Sequence, residues 1–92
     1  MANGIHFSER YLENLTAAID NSWLVSKDAA QRFAEEHDRE VALLAEFPGI
    51  GKALAAGRQS FPIGKTGYRI IYRAKSGQLL LIRLENVRRA RR

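Results

Sequence analysis

The spacing of inward-facing residues changes once along this chain, near Gly57, and that change limits the fold more than any single motif. Before it, side chains suited to a core recur every three or four positions. Tyr11, Leu12, Leu15 and Ile19 form one set, and Ala30, Phe33, Ala34, His37, Val41 and Leu44 form another. That spacing lays each set along one side of a helix. Ser8 is placed to cap the first helix, with Glu9 in its opening turn where a carboxylate suits the helix dipole. Asp20-Asn21-Ser22 is expected to end the run, and a second helix is expected to begin after Ser26. Its outer side carries Glu35, Glu36, Asp38, Arg39 and Glu40. Pro48-Gly49 must stop it or bend it sharply. The opening GIHFS reads as a short strand.

Beyond Gly57 the period is two. Gln59 to Ile63 leads into the turn signal Gly64-Lys65-Thr66-Gly67, and Tyr68 to Arg73 (YRIIYR) is rich in the aromatic and β-branched residues that strands favour. Lys75-Ser76-Gly77 marks another turn, and Gln78 to Leu84 a last strand. Two successive hairpins give a three-stranded antiparallel meander. The whole chain, residues 1–92, therefore reads as a single α+β domain: a short N-terminal strand, an αα-hairpin, then the meander, with the hairpin on one face of the sheet. Strict alternation places Tyr68, Ile70 and Tyr72 on one face and Arg69, Ile71 and Arg73 on the other. In the last strand it groups Leu80, Ile82 and Leu84 against Leu79, Leu81 and Arg83.

A length of 92 residues allows one modest core, and 46% hydrophobic with 27% charged residues is ordinary for a folded domain. There is no apolar run of membrane-spanning length. MANGIHFSER lacks a basic segment followed by an apolar one, so no secretory signal is expected. With zero Cys, neither disulfides nor a Cys-based metal site can form, and a cytoplasmic location is the expectation. The net charge of +5 is unevenly placed. Residues 1–51 hold four Lys/Arg against nine Asp/Glu, whereas residues 52–92 hold eleven against the single acid Glu85. One acid among so many bases is more than a solubilising surface requires, and it points to a polyanionic partner, either nucleic acid or an acidic protein segment.

Several motifs can be weighed against simpler readings. FPGIGKALA (47–55) has the residue order of a helix-hairpin-helix DNA-binding element. That element needs a second helix after Gly51, and Lys52 to Ala56 allows only one or two turns, so a stop and turn is expected instead. Gly64-Lys65-Thr66 resembles the end of a phosphate-binding loop. However, Gln59 stands where the loop's first Gly belongs, and a strand follows where a helix should. His6 and His37 have no partner at metal-ligand spacing, and no cofactor is implied. Trp23, in the link between the helices, is expected to anchor the core. Arg69, Arg73 and Arg83 can converge on one sheet face, joined by Lys65 and the tail VRRARR (87–92). Guanidinium groups on a rigid sheet suit bidentate contacts to phosphate.

Taken in order, these pieces resemble the RelE/ParE superfamily, the toxins of bacterial type II toxin–antitoxin pairs. The best-matching stretches are LLAEFPGIG (43–51) and GYRIIY (67–72), and the resemblance covers nearly the whole chain. It implies a growth-inhibiting toxin, either a RelE-like enzyme that cleaves mRNA on the ribosome or a ParE-like poison of DNA gyrase. For the nuclease, Arg69 and Arg89 match catalytic basic residues. Ser60 and Pro62 stand where RelE has lysines, and the segment to Arg92 carries neither the C-terminal Tyr nor the His of other members. Arg58 or Lys65 would have to replace the missing bases. The resemblance therefore favours gyrase as target, with Arg58, Lys65, Arg69, Arg73, Arg83, Arg88 and Arg89 as the contact set. It also implies a cognate antitoxin whose acidic tail folds across the toxin, with Leu79, Leu81 and Arg83 expected to receive it. A non-toxic basic nucleic-acid-binding domain is the remaining alternative.

Overall fold

The computed structural model describes residues 4–87. Two helices lie on one face of a five-stranded sheet, in the order β1 (Gly4–Phe7), α1 (Glu9–Trp23), α2 (Lys27–Glu46), β2 (Lys52–Ala53), β3 (Gln59–Pro62), β4 (Tyr68–Lys75) and β5 (Gln78–Asn86). The strand order is β1-β5-β4-β3-β2. The expected meander is its centre, β3-β4-β5, paired antiparallel throughout. The expected N-terminal strand is also present, but it joins the same sheet parallel to β5, with Gly4 opposite Gln78 and Phe7 opposite Leu81. The short β2 extends the other edge.

Local chemistry explains the helix limits. The Ser8 hydroxyl accepts from the Tyr11 N–H at 3.0 Å and that of Ser26 from the Ala29 N–H at 2.9 Å, each satisfying an orphan donor of a first turn. α1 runs to Trp23, past the Asp20-Asn21-Ser22 expected to break it. Trp23 is consequently half-exposed instead of anchoring the core, and the link 24–26 projects Leu24 and Val25 into solvent. α2 buries Ala30, Phe33, His37, Val41 and Leu44, the face its spacing defines. It stops at Glu46 because the residue before a proline is driven out of the helical region.

FPGIGKALA forms no second helix. Pro48–Ile50 makes one 3₁₀ turn, and Lys52 and Ala53 pair with Ser60 and Gln59. The turn is pinned from the sheet. The Tyr72 hydroxyl donates to the Pro48 carbonyl at 2.7 Å and accepts from the Gly51 N–H at 3.0 Å. A Cβ on Gly51 would fall on that hydroxyl and ring, so glycine is required here by close approach. The β4–β5 hairpin closes through Ser76 and Gly77, both at positive φ (52° and 74°) between the paired Lys75 and Gln78. That is the twist-matched two-residue turn of hairpins.

The alternation expected for β5 does not hold along its length. Ile71 pairs with Arg83 but Tyr72 pairs with Leu81, so Ile82 is an extra residue, a β-bulge. The α1 cap stitches it in place, as the Ser8 hydroxyl donates to the Ile82 carbonyl at 2.6 Å. The inserted residue reverses the side-chain phase. Leu79 and Leu81, expected on the exposed face, are fully buried, and Leu84 beyond the bulge joins them in the core. Tyr11, Ala18, Phe33, Val41, Leu44, Ile63, Ile70 and Tyr72 complete that cluster.

Candidate binding surface

Alternation from the buried Ile70 and Tyr72 assigns the sheet face away from the helices. On it stand Lys52 of β2, Ser60 and Pro62 of β3, Arg69, Ile71, Arg73 and Lys75 of β4, and Leu80, Arg83 and Glu85 of β5. His6 joins them beside Leu80. The face is basic because the strands come from the base-rich half of the chain. Ile71 is 1% exposed on this side. Its register neighbours are Ser60 and Arg83, with Arg69 and Arg73 two positions away. The aliphatic stems of those arginines are therefore the groups in reach to cover it.

The arginines separate into two sites instead of one. Glu85, itself largely buried, binds Arg69 at 3.1 Å and Arg83 at 3.3 Å. Each of these arginines also has a buried Nε without a partner among the described residues. The triad carries one net positive charge, and its guanidinium groups are already committed to a carboxylate. Arg73 stands apart. With His6, Lys75, Ser76, Gln78 and Leu80 it borders a cavity of about 320 Å³ that has three basic side chains and no acid in its lining. Within it the His6 Nε2 and the Gln78 Oε1 lie 2.7 Å apart, in hydrogen-bond contact.

The other expected residues are dispersed. Lys65 lies in the β3–β4 turn and lines a cavity with Arg32 and Glu36 of α2, so it does not join the sheet arginines. Arg58 is exposed where the Ala55–Gly57 turn enters β3. Arg88 and Arg89 lie outside the described residues. Sequence reasoning missed Arg10, which with Asn14, Asn21, Tyr68, Arg83 and Glu85 lines a cavity of about 500 Å³ between α1 and the end of β5. The helical spacing of Arg10, Asn14 and Asn21 was the available signal, and Asn14 uses it by accepting from the Leu84 N–H at 3.1 Å.

His37 is buried, as its place on α2 suggests. The Tyr11 hydroxyl meets its Nε2 at 2.7 Å, and its Nδ1 lies 3.1 Å from Asp38. Burial, with the Asp38 charge adding to it, pushes the Tyr11 hydroxyl well above the usual tyrosine range. Burial raises Tyr72 too, opposed in part by the Gly51 N–H. Both phenols are thus held neutral. The described residues contain no group of three His, Asp or Glu side chains able to hold a metal ion. What the open face offers is charge for binding.

These features define a small two-layer α+β protein with a basic sheet face. A family model described as the ParE toxin of type II toxin-antitoxin system, parDE, matches residues 5–91. The chain belongs to that family of toxins, within the RelE/ParE superfamily. Its fold is similar to that of a chain from the chromosomal ParDE TA system from P. aeruginosa, with a TM-score of 0.77 at 16% identity, covering 91% of this chain and 95% of that one. No curated protein matches the sequence. No helix among the described residues is long and apolar enough to cross a membrane.

Proposed function

We propose that this toxin inhibits growth by poisoning DNA gyrase and is neutralised by a cognate acidic antitoxin. Family membership over residues 5–91 supports the toxin role. The observation that carries the choice of target is the state of Arg69. The arginine that would serve a RelE-like nuclease is bound to the largely buried Glu85. Across β3, Ser60 and Pro62 bring no base beside it. A phosphodiester at Arg69 would meet a guanidinium already paired with Glu85, with no base from β3 beside it. A protein target needs only shape and charge, which the face supplies.

The test is expression in a translating bacterial extract, with message integrity read by primer extension and gyrase trapped on DNA by detergent. Accumulation of covalent gyrase–DNA complexes with intact message is expected. Cuts confined to translated message would overturn the gyrase reading in favour of a ribosome-dependent nuclease. Neither effect would leave a basic binding domain without toxicity.

A further inference from the structure

β5 outruns the strand beside it. β1 ends with Phe7 opposite Leu81, whereas β5 continues to Asn86. Along that stretch α1 takes the place of a neighbouring strand. The Ser8 hydroxyl donates to the Ile82 carbonyl, and the Asn14 carboxamide oxygen accepts from the Leu84 N–H. A helix cannot follow a strand edge as closely as another strand does, and the cavity of about 500 Å³ between α1 and the end of β5 lies in the gap. Its volume is that of a small-molecule site. Arg10, Asn14, Ala17 and Asn21 recur at helical spacing along its α1 wall, and the alanine keeps the middle of that wall low.

Donors dominate the polar lining. Arg10 has no hydrogen-bond or ion partner among the described residues. Arg83 gives one terminal nitrogen to Glu85, while its buried Nε has no partner among them. A buried donor in that state is one that a bound anion satisfies. Asn14 uses its oxygen on Leu84, which leaves its amide N–H groups for the cavity. Glu85, the only acid among the lining residues, is already held by Arg69 and Arg83 together. Beyond the arginines the lining turns apolar, with Ala17, Leu84 and the Tyr68 ring, which an edge-on contact with Phe33 at 5.3 Å holds in place.

We propose that this cavity binds a nucleoside monophosphate, with its phosphate between Arg10 and Arg83 and its base against Tyr68. Two guanidinium groups match the phosphate oxygens. The Asn21 carboxamide, able to donate and accept at once, suits the edge of a base. Inorganic phosphate would engage the arginines and leave the apolar floor and Asn21 unused. The inference is independent of the gyrase reading, since the site lies beside α1 and not among Arg73 and Lys75 on the open sheet face.

The test is titration of the full chain with AMP, GMP, adenosine and inorganic phosphate, followed by proton–nitrogen NMR. AMP or GMP should shift the Arg10 and Arg83 Nε–H and the Asn21 carboxamide signals saturably, with a Kd below about 1 mM. Adenosine and phosphate should each bind at least tenfold more weakly. Arg10→Ala, at an exposed helix position, should weaken nucleotide binding at least tenfold with circular dichroism unchanged. Arg83→Lys, which keeps the charge beside Glu85 but lacks the Nε–H, should weaken it as well. Phosphate binding as tightly as the nucleotides would overturn the nucleoside assignment. Saturable shifts confined to Arg73 and Lys75, or none at all, would overturn the site.

Discussion

Tyr72 shows how one side chain fixes a turn that the sequence displays without explaining. Its hydroxyl holds both the Pro48 carbonyl and the Gly51 N–H. Tyr72→Phe leaves both groups without that partner and should cost about 1–3 kcal/mol in urea unfolding. Gly51→Ala should cost more, because the added methyl must displace a ring that is itself fully buried. The same residues set a pH response. Tyr11 and Tyr72 are both raised in the folded state, so their contribution is intact below the ordinary tyrosine value. It is lost as pH rises from there towards the folded value, because the unfolded chain releases its protons first. Stability should therefore fall above about pH 10, and Tyr11→Phe should flatten that decline in a thermal-melt series. The importance of Pro-Gly-x-Gly was legible in the sequence. Its reason was not, since Tyr72 is brought to the turn only when β4 is laid in the sheet.

At the scale of elements, the helices and the meander were legible because each is set by local spacing, caps and turns. Two features were hidden, and both depend on residues far apart in the chain. The parallel pairing of β1 joins Gly4–Phe7 to the last strand, and no local pattern names a partner at that distance. The bulge at Ile82 cannot be seen in LLLIRL, where apolar residues fill both phases and alternation has no unique reading. That ambiguity is why Leu79 and Leu81 were expected on the surface, as antitoxin contacts, while the structure uses them as core. The difference is measurable. Leu81→Ala should destabilise by about 2–5 kcal/mol, and Leu80→Ala, at a site 39% exposed, by under about 1 kcal/mol. Equal losses in parallel unfolding curves would contradict the bulged register. Ser8 adds a related case, since it caps α1 and also holds the bulge carbonyl. Ser8→Ala should therefore cost more than the roughly 1 kcal/mol expected for the cap-only Ser26→Ala.

For the whole molecule, the charge asymmetry of the sequence becomes an asymmetry in space. The acids of residues 1–51 ride largely on the helices, and the bases of β2 to β5 line the opposite sheet face. An acidic partner thus approaches a molecule with a favourable and an unfavourable side, and orientation begins before contact. Such steering acts on association more than on dissociation. Raising salt from about 0.05 to 0.5 M shortens the Debye length from roughly 14 to 4 Å. Stopped-flow mixing with the antitoxin should then show association slowed tenfold or more, with dissociation changed far less. Arg73→Glu with Lys75→Glu should reproduce much of that slowing at low salt, because both side chains are exposed and no acid lines their cavity. Arg69→Ala should slow association less, since Glu85 already offsets its charge and Arg83 remains paired to the same carboxylate. An association rate indifferent to salt and to the double substitution would mean that the basic face does not guide the partner.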